Sequence, residues 1–214
     1  MPMWEVLMGS PTARVTRVCC GPFESLCYLL EDRFSGSSFL IDAGCPAEEV
    51  VRLLEERGSR LEAVLLTHTH FDHLLEVNSI TRSTGSKALA HPKDVEMLPV
   101  YWREDLGNIP EVIPSLEEGL TLSAASLSLV VLHTPGHTPG SVCYYSRDLG
   151  IVFTGDTLFK GAIGTLRYSG SPDSYGQMRR SLRKLSSLPK DTVVLPGHGD
   201  RTTIREEREM MRRF

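Results

Sequence analysis

Thr67-His68-Thr69-His70-Phe71-Asp72-His73 follows directly on the apolar run Leu61-Glu62-Ala63-Val64-Leu65-Leu66. The run has the length and composition of a buried strand, so four potential metal ligands sit just past its C-terminal end. Side chains alternate along an extended chain, which puts His68 and His70 on one side. Asp72 and His73 then open a helical pattern through Leu74, Leu75, Val77 and Ile80, predicting a helix over 72–83 that stops at Gly85. Imidazole with carboxylate suits zinc, iron or manganese, and no Cys thiolate is at hand to close a structural zinc site.

Upstream of this stretch, residues 3–8 and 14–20 alternate apolar and polar as half-buried strands do, with Gly9-Ser10-Pro11 turning between them. Strands over 25–30 and 38–42 follow, joined by a polar hairpin connection. Pro46 is placed to open a helix over 47–57 that buries Val50, Leu53 and Leu54, with Gly58 as its terminator.

Downstream, Lys87 to Ala90 reads as a short strand. Residues 91–119 are irregular and carry four prolines. So long a stretch is read as a wall over the site, against the plainer alternative of a surface excursion with a short helix near 93–97. Strands are expected over 125–132, 141–145, 150–154 and 192–195. A Gly-containing loop runs from 160 to 170, Ser171-Pro172-Asp173 caps a helix, and a charged helix over 203–213 closes the chain. Strands dominate each half with helices after them, which predicts an α+β fold of two packed sheets with helices outside.

Three more strands end in a Gly-flanked His or Asp: Leu132-His-Thr-Pro-Gly-His137, Val152-Phe-Thr-Gly-Asp156 and Val194-Leu-Pro-Gly-His198. Glycine lets the backbone turn sharply and come close to a ligand. Together with the first cluster these supply His68, His70, Asp72, His73, His137, Asp156 and His198. Seven donors exceed what one tetrahedral ion takes, so two divalent ions sharing an oxygen are expected, zinc first, with iron or manganese as alternatives. His91 and His133 are read as structural.

The chain has 214 residues, 41% hydrophobic and 23% charged, as expected of one large domain spanning 1–214 with a real core. A net charge of -4 offers no basic field for nucleic acid. No apolar run approaches a membrane span and no signal peptide is indicated. The five cysteines show no CxxC pairing and read as buried thiols, which with the rest predicts a cytoplasmic protein acting on a small molecule.

The ordered set His68-Thr-His-Phe-Asp-His73, Thr-Pro-Gly-His137-Thr-Pro-Gly, Thr-Gly-Asp156-Thr-Leu-Phe and Pro-Gly-His198-Gly resembles the metallo-β-lactamase superfamily, and within it the short glyoxalase II-like hydrolases. The resemblance runs from about residue 14 to the C-terminus. It implies an αββα sandwich with the site at one edge of the sheets. It also implies that His68, His70 and His137 hold one metal, that Asp72, His73 and His198 hold a second, and that Asp156 bridges both. Asp42, in Leu-Ile-Asp-Ala-Gly, would orient a ligand histidine from outside. Two stretches depart from the family pattern: Leu74-Leu75-Glu76-Val77 stands where a Gly-Gly pair is usual, and the loop 160–170 lacks its Gly-Arg-rich form. The helical domain that binds glutathione in full-length glyoxalase II has no room here, which leaves the thiol carrier open.

Such a site would lower the pKa of a bridging water, giving hydroxide to attack a small thioester or ester, with Asp72 orienting it or taking its proton. No Ser/His/Asp or Cys/His arrangement competes. One alternative is a persulfide dioxygenase-like oxidoreductase with a single iron on His68, His137 and Asp156. A phosphodiesterase is disfavoured by the acidic balance, and a metal-free binding protein by the filled ligand positions.

Overall fold

The computed structural model describes residues 4–102, 107–167 and 169–214. Seven strands lie side by side in chain order in a first sheet: β1 (Glu5–Gly9), β2 (Ala13–Cys20), β3 (Ser25–Asp32), β4 (Ser37–Ile41), β5 (Arg60–Leu65), β6 (Lys87–Ala90) and β7 (Ile113–Pro114). The first four pair antiparallel and the last four parallel. Parallel neighbours need a crossover, and α1 (Ala47–Arg57), α2 (Val77–Thr84) and α3 (Pro92–Tyr101) supply the three.

The second sheet holds β8 (Thr121–Ala124), β9 (Leu127–His133), β10 (Val142–Ser146), β11 (Ile151–Gly155), β14 (Val193–Pro196) and β15 (Thr202–Thr203) in the order β15-β14-β11-β10-β9-β8. Between β11 and β14 come a small hairpin, β12 (Leu158–Phe159) and β13 (Ala162–Ile163), and the crossover helix α4 (Ser174–Ser186). Helix α5 (Ile204–Arg213) closes the chain.

Alternation along the strands builds three apolar seams. On β3, Leu26, Tyr28 and Leu30 pack between the sheets against Leu129, Tyr144 and Phe153. Cys27 and Leu29 face the other way, among Val50, Leu53, Val77 and Ile80 of α1 and α2. Cys143 and Tyr145 of β10 likewise meet Met178 and Leu182 of α4. Strands covered on both faces must be apolar throughout, which is why Leu26-Cys-Tyr-Leu-Leu30 is nearly continuous. The outcome is the expected αββα sandwich.

Several expectations change in detail. Pro46 precedes α1 rather than opening it. The predicted helix 72–83 splits: Phe71–His73 form one tight 3-10 turn, and α2 begins only at Val77. The backbone there is tied to a neighbouring loop instead of to its own next turn. Ala43 N–H donates to His73 O at 2.7 Å, and Glu76 N–H donates to Ala43 O at 2.9 Å. The excursion after β6 holds a ten-residue helix, α3, with Pro92 in its first turn and His91 Nδ1 accepting from Lys93 N–H. Residues 103–106 of that stretch and Tyr168 of the loop 160–170 lie outside the described residues. Strand β8 was not foreseen, and α4 starts at Ser174 with Asp173, not Ser171, ahead of it.

The cysteines require a larger correction. Cys20, at the end of β2, and Cys45, in the loop after β4, form a disulfide with their Cα atoms 5.2 Å apart. Cys27 and Cys143 are buried thiols, and Cys19 is exposed. Adjacent Cys19 and Cys20 do face opposite ways, and the inward one meets a partner that is distant in sequence. The pairing removes the argument for a reducing compartment. Among the described residues no helix is long and apolar enough to cross a membrane.

Candidate metal centre

Strands β4, β5, β9, β11 and β14 all end at one edge of the sandwich, and each hands the chain to a loop carrying His or Asp. Cross-links between the sheets hold that edge shut. Val142 N–H donates to Thr67 O at 2.8 Å, Leu26 N–H to Gly197 O at 2.8 Å, and Tyr28 Oη–H to Pro196 O at 2.7 Å. Gly197 is required by the crowding: a Cβ there would run into Asp156 Oδ1 and the His73 ring.

All seven expected donors come together at this edge. His70 Nδ1 and His137 Nε2 lie 2.9 Å apart, and His73 Nε2 and His198 Nε2 3.2 Å apart. Asp156 sits between the two pairs, with Oδ1 3.4 Å from His73 Nε2 and Oδ2 3.5 Å from both His137 Nε2 and His198 Nε2. Asp72 Oδ2 is 3.6 Å from His73 Nε2 and 3.5 Å from His198 Nε2. Three overlapping donor groups result: His68/His70/His137, His68/His73/Asp156 and Asp72/His73/His198. The division between two halves is therefore softer than expected, since His68 belongs to both of the first two groups.

The ring orientations are set from behind. His73 Nδ1–H donates to Asp42 Oδ2 at 2.9 Å, His137 Nδ1–H to Thr165 O at 2.8 Å, and His198 Nδ1–H to Phe23 O at 3.0 Å. Each bond fixes the tautomer and turns a bare Nε2 toward the cluster. His68 Nδ1 is 3.1 Å from Thr67 Oγ1, whose own proton goes to Asp42 Oδ2. The resemblance put Asp42 behind a ligand histidine without saying which; here that ring is His73, and the Asp42 φ of +60° marks a strained turn at the end of β4.

Charge follows from these surroundings. Burial and the neighbouring rings hold His68 well below the usual imidazole range; burial lowers His137 and takes His70 down to about 4. Burial works the same way on His73, but Asp156 and Asp42 outweigh it and raise that ring well above its ordinary value. Burial opposes ionisation of Asp72 and Asp156, yet the adjacent histidines keep both carboxyls below their normal range. Neutral His68, His70 and His137 beside ionised carboxylates form a donor set suited to a divalent cation, whereas His73, and His198 beside Asp72 and Asp156, must give up a proton to join it. Buried His68 Nε2 and Asp156 Oδ1 have no hydrogen-bond partner, a costly arrangement in a protein interior unless a ligand meets them.

Two neighbours of the cluster were not singled out as site residues by sequence reasoning. Tyr101, at the end of α3, puts its ring 4.8 Å from His70, so α3 supplies part of the expected wall. Asp94, wholly buried in the first turn of α3, accepts from the backbone of Thr69 and Gly140 and from the Thr138 hydroxyl. Nothing in His91-Pro-Lys-Asp94 distinguishes it from an ordinary acid at a helix start. His91 and His133 stay out of the donor set, as expected; their rings stack at 4.1 Å. A cavity of 630 Å³ lies elsewhere, among Arg82, Lys87, Leu98 and Ile109, and among the described residues no donor cluster lines it.

The family model of the metallo-β-lactamase superfamily matches residues 20–198. The chain belongs to that superfamily, a group made up largely of hydrolytic enzymes that bind divalent metals. It is 36% identical over 215 residues to an uncharacterised protein of Mycobacterium leprae, covering 91% of this chain and 95% of the relative. Hydroxyacylglutathione hydrolase GloC of Haemophilus influenzae is 33% identical over 195 residues, 87% of this chain and 91% of its own length. Among solved structures, TTHA1623 in a di-iron-bound form is similar with a TM-score of 0.78 and 34% identity, covering 90% of this chain and 96% of that one.

Proposed function

We propose that this protein is a metal-dependent hydrolase that holds two divalent cations and cleaves a small thioester or ester. The observation that carries the reading is Asp156, whose two oxygens lie between His137 on one side and His73 and His198 on the other. His68, His70 and His137 would hold one ion, Asp72, His73 and His198 the other, and Asp156 both. Zinc is the first choice, and the similarity to a di-iron protein keeps iron a close second.

When bound, a pair of such cations supplies Lewis acidity to a carbonyl oxygen and lowers the pKa of water to near neutrality. The chain's own residues do the rest. Asp42 holds the His73 proton at Nδ1, Thr165 O and Phe23 O do the same for His137 and His198, and the rings are thereby fixed before substrate arrives. Asp72, 13% exposed, is placed to take the proton of an attacking water. Tyr101 sets its ring edge-on against His70 at 4.8 Å. The likeness to a hydroxyacylglutathione hydrolase supports a thioester substrate.

Elemental analysis of the purified protein, run beside a panel of small thioesters, lactones and phosphodiesters, tests the reading. Two metals per chain with thiol release is the expected result. One iron per chain with oxygen consumed on a persulfide would overturn it in favour of an oxidoreductase, and cleavage of phosphodiesters alone in favour of a phosphodiesterase.

A further inference from the structure

Helix α3 reaches the site at both ends, through the Tyr101 ring beside His70 and through Asp94 in its first turn. Asp94 Oδ2 accepts from Thr69 N–H at 3.0 Å and from Thr138 Oγ1–H at 2.8 Å, and Oδ1 accepts from Gly140 N–H at 2.6 Å. Its main-chain carbonyl takes a fourth bond, from Thr69 Oγ1–H at 3.0 Å. Thr69 is the residue between His68 and His70, and Thr138 directly follows His137. The two loops leave different sheets, β5 in the first and β9 in the second. Contact at Gly140 is so close that an added Cβ would come within 2.6 Å of Asp94 Oδ1.

A carboxylate accepts up to four bonds in fixed directions, and here it draws donors from both loops onto one group of atoms. His68, His70 and His137 form one donor group, and every link from Asp94 ends within three residues of one of them. We infer that Asp94 is a positioning residue that sets the distance between the His68-Thr-His70 segment and the His137 loop, and so the affinity and geometry of the ion that those three histidines would hold. The inference rests on the two-cation reading above. Thr69 and Thr138 act with it. Their methyl-bearing side chains fill the buried space, and their donors reach Asp94.

Chelator-treated protein reloaded with cobalt(II) tests this, through visible absorption and metal affinity, without any substrate. Asp94→Asn keeps the size of the side chain but turns an NH2 toward one of the donors. The expected result is cobalt affinity weakened about 10–100-fold for one equivalent, a shifted absorption band, and a far-UV spectrum like that of wild type. Thr138→Val removes one bond and should move the same readouts in the same direction by less. Asp32→Asn is the control: Asp32 has little exposed surface, though it lies less deep than Asp94, and accepts from Phe34, Ser35 and Ser126, away from the donors. It should lower thermal stability and leave the cobalt band in place.

Wild-type affinity and spectrum in Asp94→Asn overturn the inference. If that variant does not fold, the same result in Thr138→Val overturns it. A cobalt shift in Asp32→Asn as large as in Asp94→Asn also overturns it, because general loosening would then explain the effect. A wild-type protein that takes up no ion overturns the two-cation reading and this inference with it.

Discussion

His73 and His137 stand on opposite sides of Asp156, with Nε2 3.4 and 3.5 Å from its oxygens, but lean on unlike supports. The His73 ring donates to the Asp42 carboxylate, and the His137 ring to the Thr165 main-chain carbonyl. Burial pushes both rings toward the neutral form. Around His73 the two carboxylates win and its pKa rises; around His137 burial wins and its pKa falls. Two donors of the same kind are therefore made unequal by what stands behind them, one basic and the other neutral. An anionic support strengthens the ligand and makes it compete with protons, whereas a neutral support aims the ring without that cost.

Asp156 is what the two sides share, so its loss should have the largest effect. Asp156→Asn keeps the shape and removes the charge between the histidine pairs. Metal content by elemental analysis should fall on both sides, and hydrolysis should drop by about 1,000-fold or more, on the scale of several kcal/mol for metal-assisted chemistry. If one ion is retained at full occupancy, the carboxylate serves only one side.

Asp42→Asn attacks the difference directly. The amide can no longer act as an anionic support for His73, while His137 keeps Thr165. Affinity should fall about 10–100-fold for one ion and stay unchanged for the other, which stepwise competition with a chelator would resolve. Equal losses at both would mean that Thr67, which donates to Asp42 at 2.8 Å through its backbone, passes the disturbance to His68.

These supports differ in how well they could be read from the sequence. Asp42 ends an apolar strand in Leu-Ile-Asp-Ala-Gly and could be picked out by its motif. The seven donors were legible for the same reason, since each follows a strand and several flank glycine. The layered architecture was legible because alternation and Gly or Pro stops are local signals. Thr165 was not legible, because a main-chain carbonyl leaves no trace in residue identity. Asp94 was hidden for another reason: its partners lie 25, 44 and 46 residues away, and its immediate neighbours describe only a helix start. The delayed start of α2 and the Cys20–Cys45 pair fall in the same class, being decided by segments that meet only after the sheets assemble.

Acid should separate the two sides further. A metal needs a bare imidazole nitrogen, so a ring with a raised pKa must first lose its proton. His73 has such a pKa, and uptake on its side should weaken by about tenfold for each pH unit below that value. His70, lowered to about 4, is already neutral at pH 6, so uptake on its side should hold until the pH approaches 4. Calorimetric titration of the metal-free protein in buffers of different ionisation heat would count the protons released. Equal release from both sides near neutral pH would show that Asp42 does not distinguish them.

The smallest effect is expected behind His137, where His133 and His91 stack with ring planes 9° apart and His133 Nε2 lies 3.0 Å from Pro139 O. Among the described residues neither ring belongs to a donor group. His133→Ala removes the stack and that contact, which should lower stability by about 1 kcal/mol and the melting temperature by about 2–4 °C. Metal content should not change, because the stacked rings reach the His137 loop only at Pro139 O, whereas Asp94 holds Thr69, Thr138 and Gly140 together. Thermal melting and elemental analysis of one preparation would measure both. Loss of metal in His133→Ala would mean that the neutral support of His137 depends on a longer chain of contacts than Thr165 alone. The His137 side would then be the more fragile of the two, despite carrying no buried charge pair of its own.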